Sequence, residues 1–292
     1  MNVRQVAEYL HLNEKKIYSL VGESGIPATK VTGKWMFPKE LVDRWMLDSS
    51  HGGLMADRLT IAGGDDPLLH RLLAAFSEQL GDRALVSYTP TGTRLGLELL
   101  QSRRVDACGI HWGPENESGT RHPALLRFYS RHPEWVLIRL FQREQGLMIG
   151  NRLLRHNSDP AALFGQEYRW VLRQNGAGTQ RFLIDILSRY EVRIEQLNHT
   201  VTALLEREAA AAICMGQADI APGARATATE HNLQFISFGW ESFDLALPRA
   251  VWFRHLFQSL LETLKSERSL QLADTLAGYE LLGIGDLVWG DN

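Results

Sequence analysis

Apolar residues recur at helical spacing along the first part of the chain and predict three short helices. Asn2 followed by Gln5 predicts a capping box on the first helix, and Asn13 predicts the cap of a second helix that continues to about Val21. Pro38 is placed to begin the third helix. The inward positions expected from this spacing are Val3, Val6, Ala7, Leu10, Ile17, Leu20, Val21, Leu41, Val42, Trp45 and Met46.

A hairpin is predicted between the second and third helices. Gly22, Gly25 and Pro27 are expected to end the second helix, and short strand-like runs flank Thr32-Gly33. Two helices joined by a tight turn and followed by a basic hairpin form the plan of a winged helix-turn-helix. In that plan a helix enters the major groove of double-stranded DNA, and a lysine of the wing reaches a phosphate. The residues expected to contact DNA are Lys15, Lys16, Tyr18, Ser19 and Lys34.

From Arg58 onward the pattern changes to short apolar strands that alternate with amphipathic helices, which predicts an α/β domain with a parallel sheet. The first series is RLTIAGG, DPLLHRLLAAFSEQL, RALVSYTP, TGTRLGLELLQSR and VDACGIHW. The second is EYRWVLRQ, GTQRFLIDILSRY, TALLEREAAAAICMG (a helix) and ADIAPG. Long extended runs, EWVLIRLFQREQGLMIG and LQFISFGWESFDLALPR, connect the two series, and FRHLFQSLLETLKS predicts a helix near the end. Two similar series joined by crossing strands predict two lobes with a cleft between them.

These patterns divide the chain into three parts. Residues 1–47 form the predicted DNA-binding domain, and the small, polar residues 48–57 form a linker. Residues 58–292 form the bilobed domain. Lobe I is expected to comprise about 58–140 and 237–292, and lobe II about 141–236.

Composition narrows the class of protein. The chain has 292 residues, of which 45% are hydrophobic and 22% charged, as is usual for globular proteins. The net charge of −3 means that any DNA binding depends on a local patch, and residues 1–47 hold seven Lys and Arg against five Asp and Glu. The two cysteines lie in apolar runs and exclude a disulfide scaffold. With no apolar signal core and no membrane span in the sequence, we expect a cytoplasmic protein.

The first 47 residues resemble the excisionase-type, MerR-related helix-turn-helix. The resemblance rests on the VAEYL and KKIYSLV helices, the Gly25-Ile26-Pro27-Ala28 turn, the Gly33-Lys34-Trp35 wing and the closing Leu41 to Trp45 segment. It implies a DNA-binding unit. Wings of this family often carry more arginine than Lys34-Trp35-Met36-Phe37 does, so the helix is the stronger candidate for DNA contact.

Three polar turns each follow a predicted strand and precede a helix: Gly63 to Asp66, Thr89 to Thr93, and Asn175 to Thr179. Helix N-termini present free N–H groups and a positive dipole end, and threonine hydroxyls add donors, so such turns bind anions. Because ligands of α/β sheets bind beyond the carboxyl ends of the strands, three such turns at one cleft predict an anion site.

The second region, roughly residues 59–290, resembles the type II periplasmic-binding-protein-like domains that follow helix-turn-helix units in bacterial regulators. The resemblance is carried by AGGDDPLL, TPTGTRLGLELLQSRRVDACGIH, RQNGAGTQRFL, NHTVTALLEREAAAAICMGQADIAPG, FDLALPR and LAGYELLGIGDL. Some relatives bind molybdate or tungstate. The resemblance implies ligand contacts from Gly64, Asp65, Thr91, Gly92, Thr93, His111, Gly178, Thr179, Arg181 and His199.

Two features depart from an oxyanion-binding pattern. Asp65 and Asp66 lie in the first turn and would repel a bare oxyanion, which leaves an organic anion or a ligand with a donor as an alternative. After His111 the chain continues Trp112-Gly113-Pro114-Glu115, where the family has apolar residues and an Asp.

The sequence therefore predicts a one-component transcription regulator that binds DNA and senses a small anion, with molybdate and tungstate as candidates. Closure of the lobes on the anion would change the spacing of the DNA-reading units in a homodimer. The alternatives are a solute-binding protein of an uptake system, which shares the large domain, and an enzyme on the same fold. No Walker loop, dinucleotide-binding glycine pattern, catalytic triad or zinc spacing occurs, so no cofactor is expected, and Cys108 is expected to be a buried, inert thiol.

Overall fold

The computed structural model describes residues 1–22, 26–31, 33–50, 58–153, 160–165 and 167–290. Gly25, Thr32 and the linker segment 51–57 lie outside the described residues. The chain forms two compact units, Met1–Asp57 and Arg58–Asn292, and each is described by itself.

The described residues of the N-terminal unit form three helices and a two-stranded hairpin. Its elements are α1 (Val3–Tyr9), α2 (Glu14–Gly22), β1 (Thr29–Val31), β2 (Lys34–Met36) and α3 (Lys39–Ser50). The predicted capping box on α1 is confirmed, since the Asn2 side chain accepts from the Gln5 N–H and the Gln5 side chain accepts from the Asn2 N–H. Asn13 likewise caps α2, accepting from the N–H of Lys16 at 2.8 Å. Local sequence therefore determines where both helices begin.

The core of the N-terminal unit contains most of the predicted inward residues but not all of them. Its buried residues are Val6, Ala7, Ile17, Ile26, Phe37 and Val42. Trp45 packs against this core, whereas Leu41 and Met46 are exposed, which corrects the prediction that both face inward. Helix α3 also continues to Ser50, so residues 48–50 of the predicted linker are helical.

The second unit is a mixed α/β domain. Its helices are α4 (Pro67–Leu80), α5 (Thr93–Gln101), α6 (Ser118–Leu126), α7 (Gly178–Arg189), α8 (Glu206–Cys214), α9 (Arg225–Glu230), α10 (Arg249–Trp252), α11 (His255–Leu264) and α12 (Glu267–Leu276). Its strands are β3 (Arg58–Gly63), β4 (Leu85–Pro90), β5 (Ala107–His111), β6 (Trp135–Ile149), β7 (Arg169–Arg173), β8 (Asn198–Ala203), β9 (Ile220–Ala224), β10 (Gln234–Pro248), β11 (Tyr279–Glu280) and β12 (Leu287–Trp289).

One curled sheet joins two lobes, with strand order β4-β3-β5-β10-β6-β9-β7-β8. Lobe I contains the parallel strands β4, β3 and β5, and lobe II contains β9, β7 and β8. The long antiparallel strands β6 and β10 pair with each other through the centre and continue into both lobes. This is the predicted bilobed, type II periplasmic-binding-protein-like fold with crossing strands.

The predicted elements differ from the observed ones at several places. The segment TALLEREAAAAICMG is helical only from Glu206, because Thr202 and Ala203 end strand β8. Strand β8 and helices α6, α9, α10 and α12 were not predicted. Helix α6 contains Pro123 and mostly polar residues, so its apolar spacing is weak.

Candidate ligand pocket and DNA-reading surface

Two of the three predicted anion-binding turns face each other across the lobes. The N–H of Arg94, in the first turn of α5, donates to the carbonyl of Gly176 at 3.5 Å. The Gln174 side-chain amide donates to the carbonyl of Thr91 at 3.3 Å. A Cβ on Gly92 would lie 3.3 Å from the Gly176 oxygen, so a glycine permits this close approach, and its φ of +79° also favours glycine.

A pocket of about 320 Å³ lies between these helix N-termini. It is lined by Thr93, Arg94, His111, Trp112, Leu125, Tyr129, Asn175, Gly176, Ala177, Gly178, Gln180, Arg181 and Ile184. Lobe I contributes the start of α5, the end of β5 and helix α6, while lobe II contributes the start of α7. Movement of one lobe relative to the other would therefore change the pocket.

The chemistry of this pocket favours negative charge. Arg94 and Arg181 both line it and pair with acidic residues one turn further along their own helices, at 3.6 Å for Glu98 and 3.2 Å for Asp185. The first-turn N–H groups of α7 have no carbonyl to bond within the helix and lie at its positive end. No acidic residue is among the described residues that line the pocket.

Two buried donors in the pocket wall have no hydrogen-bond partner. Thr93 is 6% exposed and its hydroxyl is unpaired, and the indole N–H of Trp112 is also buried and unpaired. Buried polar groups nearly always have a partner, so each unpaired group requires an explanation. A bound ligand with acceptor atoms would supply it.

The remaining predicted turn, around Gly64 and Asp65, packs against His111, which lines the pocket. The N–H of Gly64 donates to the carbonyl of Gly109 at 2.8 Å, and the Tyr88 hydroxyl donates to the Gly64 carbonyl. A Cβ on Gly64 would lie 2.5 Å from the His111 ring, so only glycine fits beside that ring. The turn therefore positions His111.

A buried arginine on β6 connects the two lobes. Arg143 is fully buried and donates to the Asp65 carbonyl at 2.8 Å and the Asp66 carboxylate at 3.0 Å, both in lobe I. It also donates to Glu206 of lobe II at 3.2 Å and to Glu241 of β10 at 2.8 Å. Arg143 is thus the central cation of a network that involves both lobes and both crossing strands.

The same network includes His111. Its Nδ1 lies 3.0 Å from Arg143 Nη2 and 2.9 Å from Glu241 Oε1, and its ring stacks on Phe243. A Cβ on Gly178 would lie 2.2 Å from the His111 carbonyl oxygen. His111 therefore links the charge network to the start of α7.

The carboxylate of Glu206 occupies a ring of donors. It accepts from the Thr179 hydroxyl at 2.8 Å, from the Thr227 hydroxyl at 3.2 Å and from the Ala224 N–H at 3.2 Å. Threonine hydroxyls, a backbone N–H and an arginine are the groups that hold small oxyanions in proteins. Here a carboxylate of the chain itself takes that position.

The carboxyl groups of the network differ in pKa. Burial and the neighbouring charge of Glu206 raise the pKa of Asp65, and burial raises the pKa of Asp66 to about 6. Burial acts to raise the pKa of Glu206 too, but Arg143 and Arg173 outweigh it and lower that pKa. His111 and Arg143 likewise outweigh burial at Glu241 and lower its pKa to about 2. Negative charge is therefore concentrated on Glu206 and Glu241.

The predicted ligand residues fall into three groups in the structure. Thr93, His111, Gly178 and Arg181 line the pocket. Five others are bonded within the protein and do not line the pocket: Gly64, Asp65, Thr91, Gly92 and Thr179. For example, Thr91 Oγ1 accepts from the Gly63 N–H at 3.2 Å. His199 is exposed on edge strand β8, 2.9 Å from the Thr202 hydroxyl, and is not brought to the pocket.

Sequence reasoning missed the apolar wall of the pocket and the buried network. Leu125 and Tyr129 of the wall belong to or follow α6, which the pattern did not predict. A signal for Arg143 does exist, since the run RLFQREQG places charged and amide residues within a strand that is otherwise apolar. Charges in a buried strand must be paired, so they indicate a network.

The predicted DNA-contacting residues are all exposed on the N-terminal unit. Lys15, Lys16, Tyr18 and Ser19 are exposed on α2, whose inward residue is Ile17, and Lys34 is exposed on the wing. Lys30 of β1 is a further exposed cation of the wing that the sequence analysis did not single out, and its ammonium lies 5.6 Å from the centre of the Trp35 ring. Among the described residues, no helix is both long enough and apolar enough to cross a membrane.

Comparison with protein families gives one match for each unit. A helix-turn-helix domain family matches residues 1–50, and the PBP superfamily domain matches residues 74–265. No curated protein matches the chain.

Solved structures of low sequence identity share the fold of the second unit. A phosphate ABC transporter substrate-binding protein from Clostridium perfringens matches with a TM-score of 0.53 and 9% identity over 75% of this chain and 97% of its own. The tungstate ABC transporter structure from Geobacter sulfurreducens matches with a TM-score of 0.53 and 14% identity over 75% of this chain and 98% of its own. An OxyR variant from Corynebacterium glutamicum, with hydrogen peroxide bound, matches with a TM-score of 0.53 and 12% identity over 94% of this chain and 89% of its own. At these identities the matches show the fold alone.

Proposed function

Because this chain belongs to the PBP superfamily and carries a helix-turn-helix domain at its N-terminus, we propose that it is a one-component transcription regulator that responds to a small anion. The single observation that carries the proposal is the presence in one chain of an exposed basic helix and an anion-complementary pocket. Lys15 and Lys16 supply the charge on α2, and the facing starts of α5 and α7 supply the pocket. Its partner, double-stranded DNA, would place its action in the cytoplasm.

The proposed mechanism is a shift between open and closed lobes. A ligand bound at the starts of α5 and α7 contacts both lobes and so stabilises the closed arrangement. A small helix-turn-helix contacts few base pairs, and such units act in pairs, so we propose a homodimer in which lobe closure alters DNA affinity. Coupling of this kind typically changes affinity by about 5- to 150-fold.

Molybdate and tungstate are one candidate class of ligand, and organic anions are the other. Asp65 and Glu206 place two carboxyl groups where the lobes meet, and Glu206 takes the donors of Thr179 and Thr227. A bare oxyanion held by these two threonine hydroxyls would have to displace the buried carboxylate of Glu206. The organic class is therefore the better candidate.

The test is to select DNA from a random library with the purified full chain, and then to titrate the recovered sequence by fluorescence anisotropy. The titration is repeated with tungstate, phosphate, acetate and benzoate. We expect enrichment of one sequence and a change of at least about fivefold in its affinity with one of these anions. If no DNA sequence is enriched, the proposed regulator function is wrong. If a sequence is enriched but no anion changes the affinity for it, the proposed sensing function is wrong.

A further inference from the structure

The walls of the pocket differ in polarity, and this difference bears on the kind of anion that fits. Leu125, Tyr129, Ile184 and the ring of Trp112 contribute apolar surface to the lining. Thr93, Arg94, Arg181 and the start of α7 contribute hydrogen-bond donors. A ligand pocket of this kind combines an apolar wall for the body of the ligand with a few polar groups that fix its orientation.

The polar part of the lining suits a single anionic group. Its hydrogen-bond donors are two arginines, the first-turn N–H groups of α7 and the unpaired hydroxyl of Thr93. A carboxylate accepts through two oxygens and could satisfy Thr93 and a helix N–H together. The pocket therefore matches a carboxylate at its polar end.

A second pocket of the domain has a lining of different charge. It measures about 340 Å³ and contains Glu115, Asp185 and Glu241 in its lining. These three carboxylates outnumber the one arginine of its lining, Arg189, and oppose an anion, so this pocket differs in charge from the one between α5 and α7.

A bare oxyanion uses only half of this arrangement. It has no apolar body to cover Leu125 and Ile184, and the polar ring around Thr179 that would suit it already holds Glu206. The polar and apolar walls are both used only by a molecule that has an anionic head and an apolar body.

We propose that the ligand is an organic carboxylate with a ring-sized apolar body, its carboxylate held by Thr93, Arg181 and the start of α7, and its body against Leu125, Tyr129 and Ile184. This inference rests on the proposed sensing function and specifies its ligand. Binding in this position stabilises the closed arrangement because the ligand contacts Thr93 and Leu125 of lobe I together with Arg181 and Ile184 of lobe II.

The test measures thermal unfolding of the full chain with matched probes: benzoate, phenylacetate and 4-hydroxybenzoate, each beside its neutral amide, together with acetate, phosphate and tungstate. At least one ring carboxylate is expected to raise the melting temperature. Its amide and acetate should each need at least a tenfold higher concentration to give the same shift. Thr93→Val and Arg181→Gln should each lower the affinity for that carboxylate by at least threefold, as measured by isothermal titration. Arg189→Gln, an exposed arginine in the last turn of the same helix, is the control and should leave binding unchanged.

Other outcomes separate the two levels of the proposal. If only phosphate or tungstate stabilises the chain, and Arg181→Gln abolishes that effect, the proposed carboxylate ligand is wrong but the proposed anion-sensing function stands. A response to no anion would overturn both the ligand class and the sensing function. Equal melting-temperature shifts with a carboxylate and its neutral amide would show that the negative charge of the ligand does not contribute to binding.

Discussion

Asp65 Oδ2 accepts a hydrogen bond from the backbone N–H of Glu206 at 2.6 Å. Asp65 follows β3 in lobe I, and Glu206 is the first residue of α8 in lobe II, so this bond joins the lobes. Helix N-termini are positions where anions bind. In this domain two carboxyl groups of the protein occupy that region, which explains why a fold shared with oxyanion-binding proteins need not bind the same ligands.

Removal of the internal carboxylate should create an oxyanion site. Glu206→Ala leaves the donors of Thr179, Thr227 and Ala224, together with Arg143, around an empty volume. We expect this variant to bind sulfate or tungstate at least tenfold more tightly than the parent chain does, as measured by isothermal titration.

Glu195→Ala, which removes an exposed carboxylate of the same lobe, is the control for a change in net charge alone. Equal tungstate binding by the parent, the control and Glu206→Ala would contradict the assigned role of Glu206.

Truncation of the central arginine should destabilise the bilobed domain strongly. Arg143→Met leaves Glu206 and Glu241 buried with fewer cations, and breaking a buried pair costs about 3–5 kcal/mol. The measurement is urea unfolding followed by circular dichroism. Arg103→Met is the control, because that arginine is exposed and lies 3.9 Å from Glu134, where a surface pair contributes about 0–1 kcal/mol. If Arg143→Met lowers the free energy of unfolding by less than about 1 kcal/mol, the network does not stabilise the contact between the lobes.

The buried carboxyl of Asp66 should give a pH-dependent stability of a defined sign. Its pKa in the folded chain is about 6, above the ordinary value of 3.8, so the folded state keeps a proton that the unfolded state loses first. Stability from this group therefore falls as pH rises from about 4 to 6. Asn can also cap α4, so Asp66→Asn removes the titration and keeps the cap.

The measured quantity is the difference in free energy of unfolding between the parent and Asp66→Asn. It should fall by about 2 kcal/mol between pH 4.5 and pH 7, given that each pKa unit corresponds to about 1.4 kcal/mol. The window lies above the range in which Glu241 titrates, since the pKa of Glu241 is lowered to about 2. A difference that stays constant or rises with pH would show that Asp66 is charged throughout.

The sequence predicts those features that depend on neighbouring residues. The cap at Asn2, the inward face at Ile17 and the parallel strands of lobe I all follow from local spacing and turn residues. The exposure of Leu41 does not, because helical periodicity fixes an angle around the helix but not which side another element covers.

The predicted site shows the same limit. The turns at Thr93 and Gly178 line the pocket because strand ends meet at one edge of a sheet. The partner of Thr179 is Glu206, 27 positions further along the chain, and that contact depends on the tertiary fold. The same is true of Arg143, whose partners lie 63 to 98 positions away, apart from the nearer His111 at 32.

Lys16 is the residue of choice for testing the DNA-reading helix. It is exposed on α2 next to the Asn13 cap, and a lysine that contacts phosphate contributes about one unit to the slope of log affinity against log salt. Lys16→Ala should therefore weaken binding of the selected DNA and reduce that slope by about one, without altering the melting-temperature shift that an anion produces. Lys265→Ala, an exposed lysine of the bilobed domain, is the matched control and should change neither quantity. Loss of both DNA binding and anion response in Lys16→Ala would mean that Lys16 supports the fold and does not contact DNA.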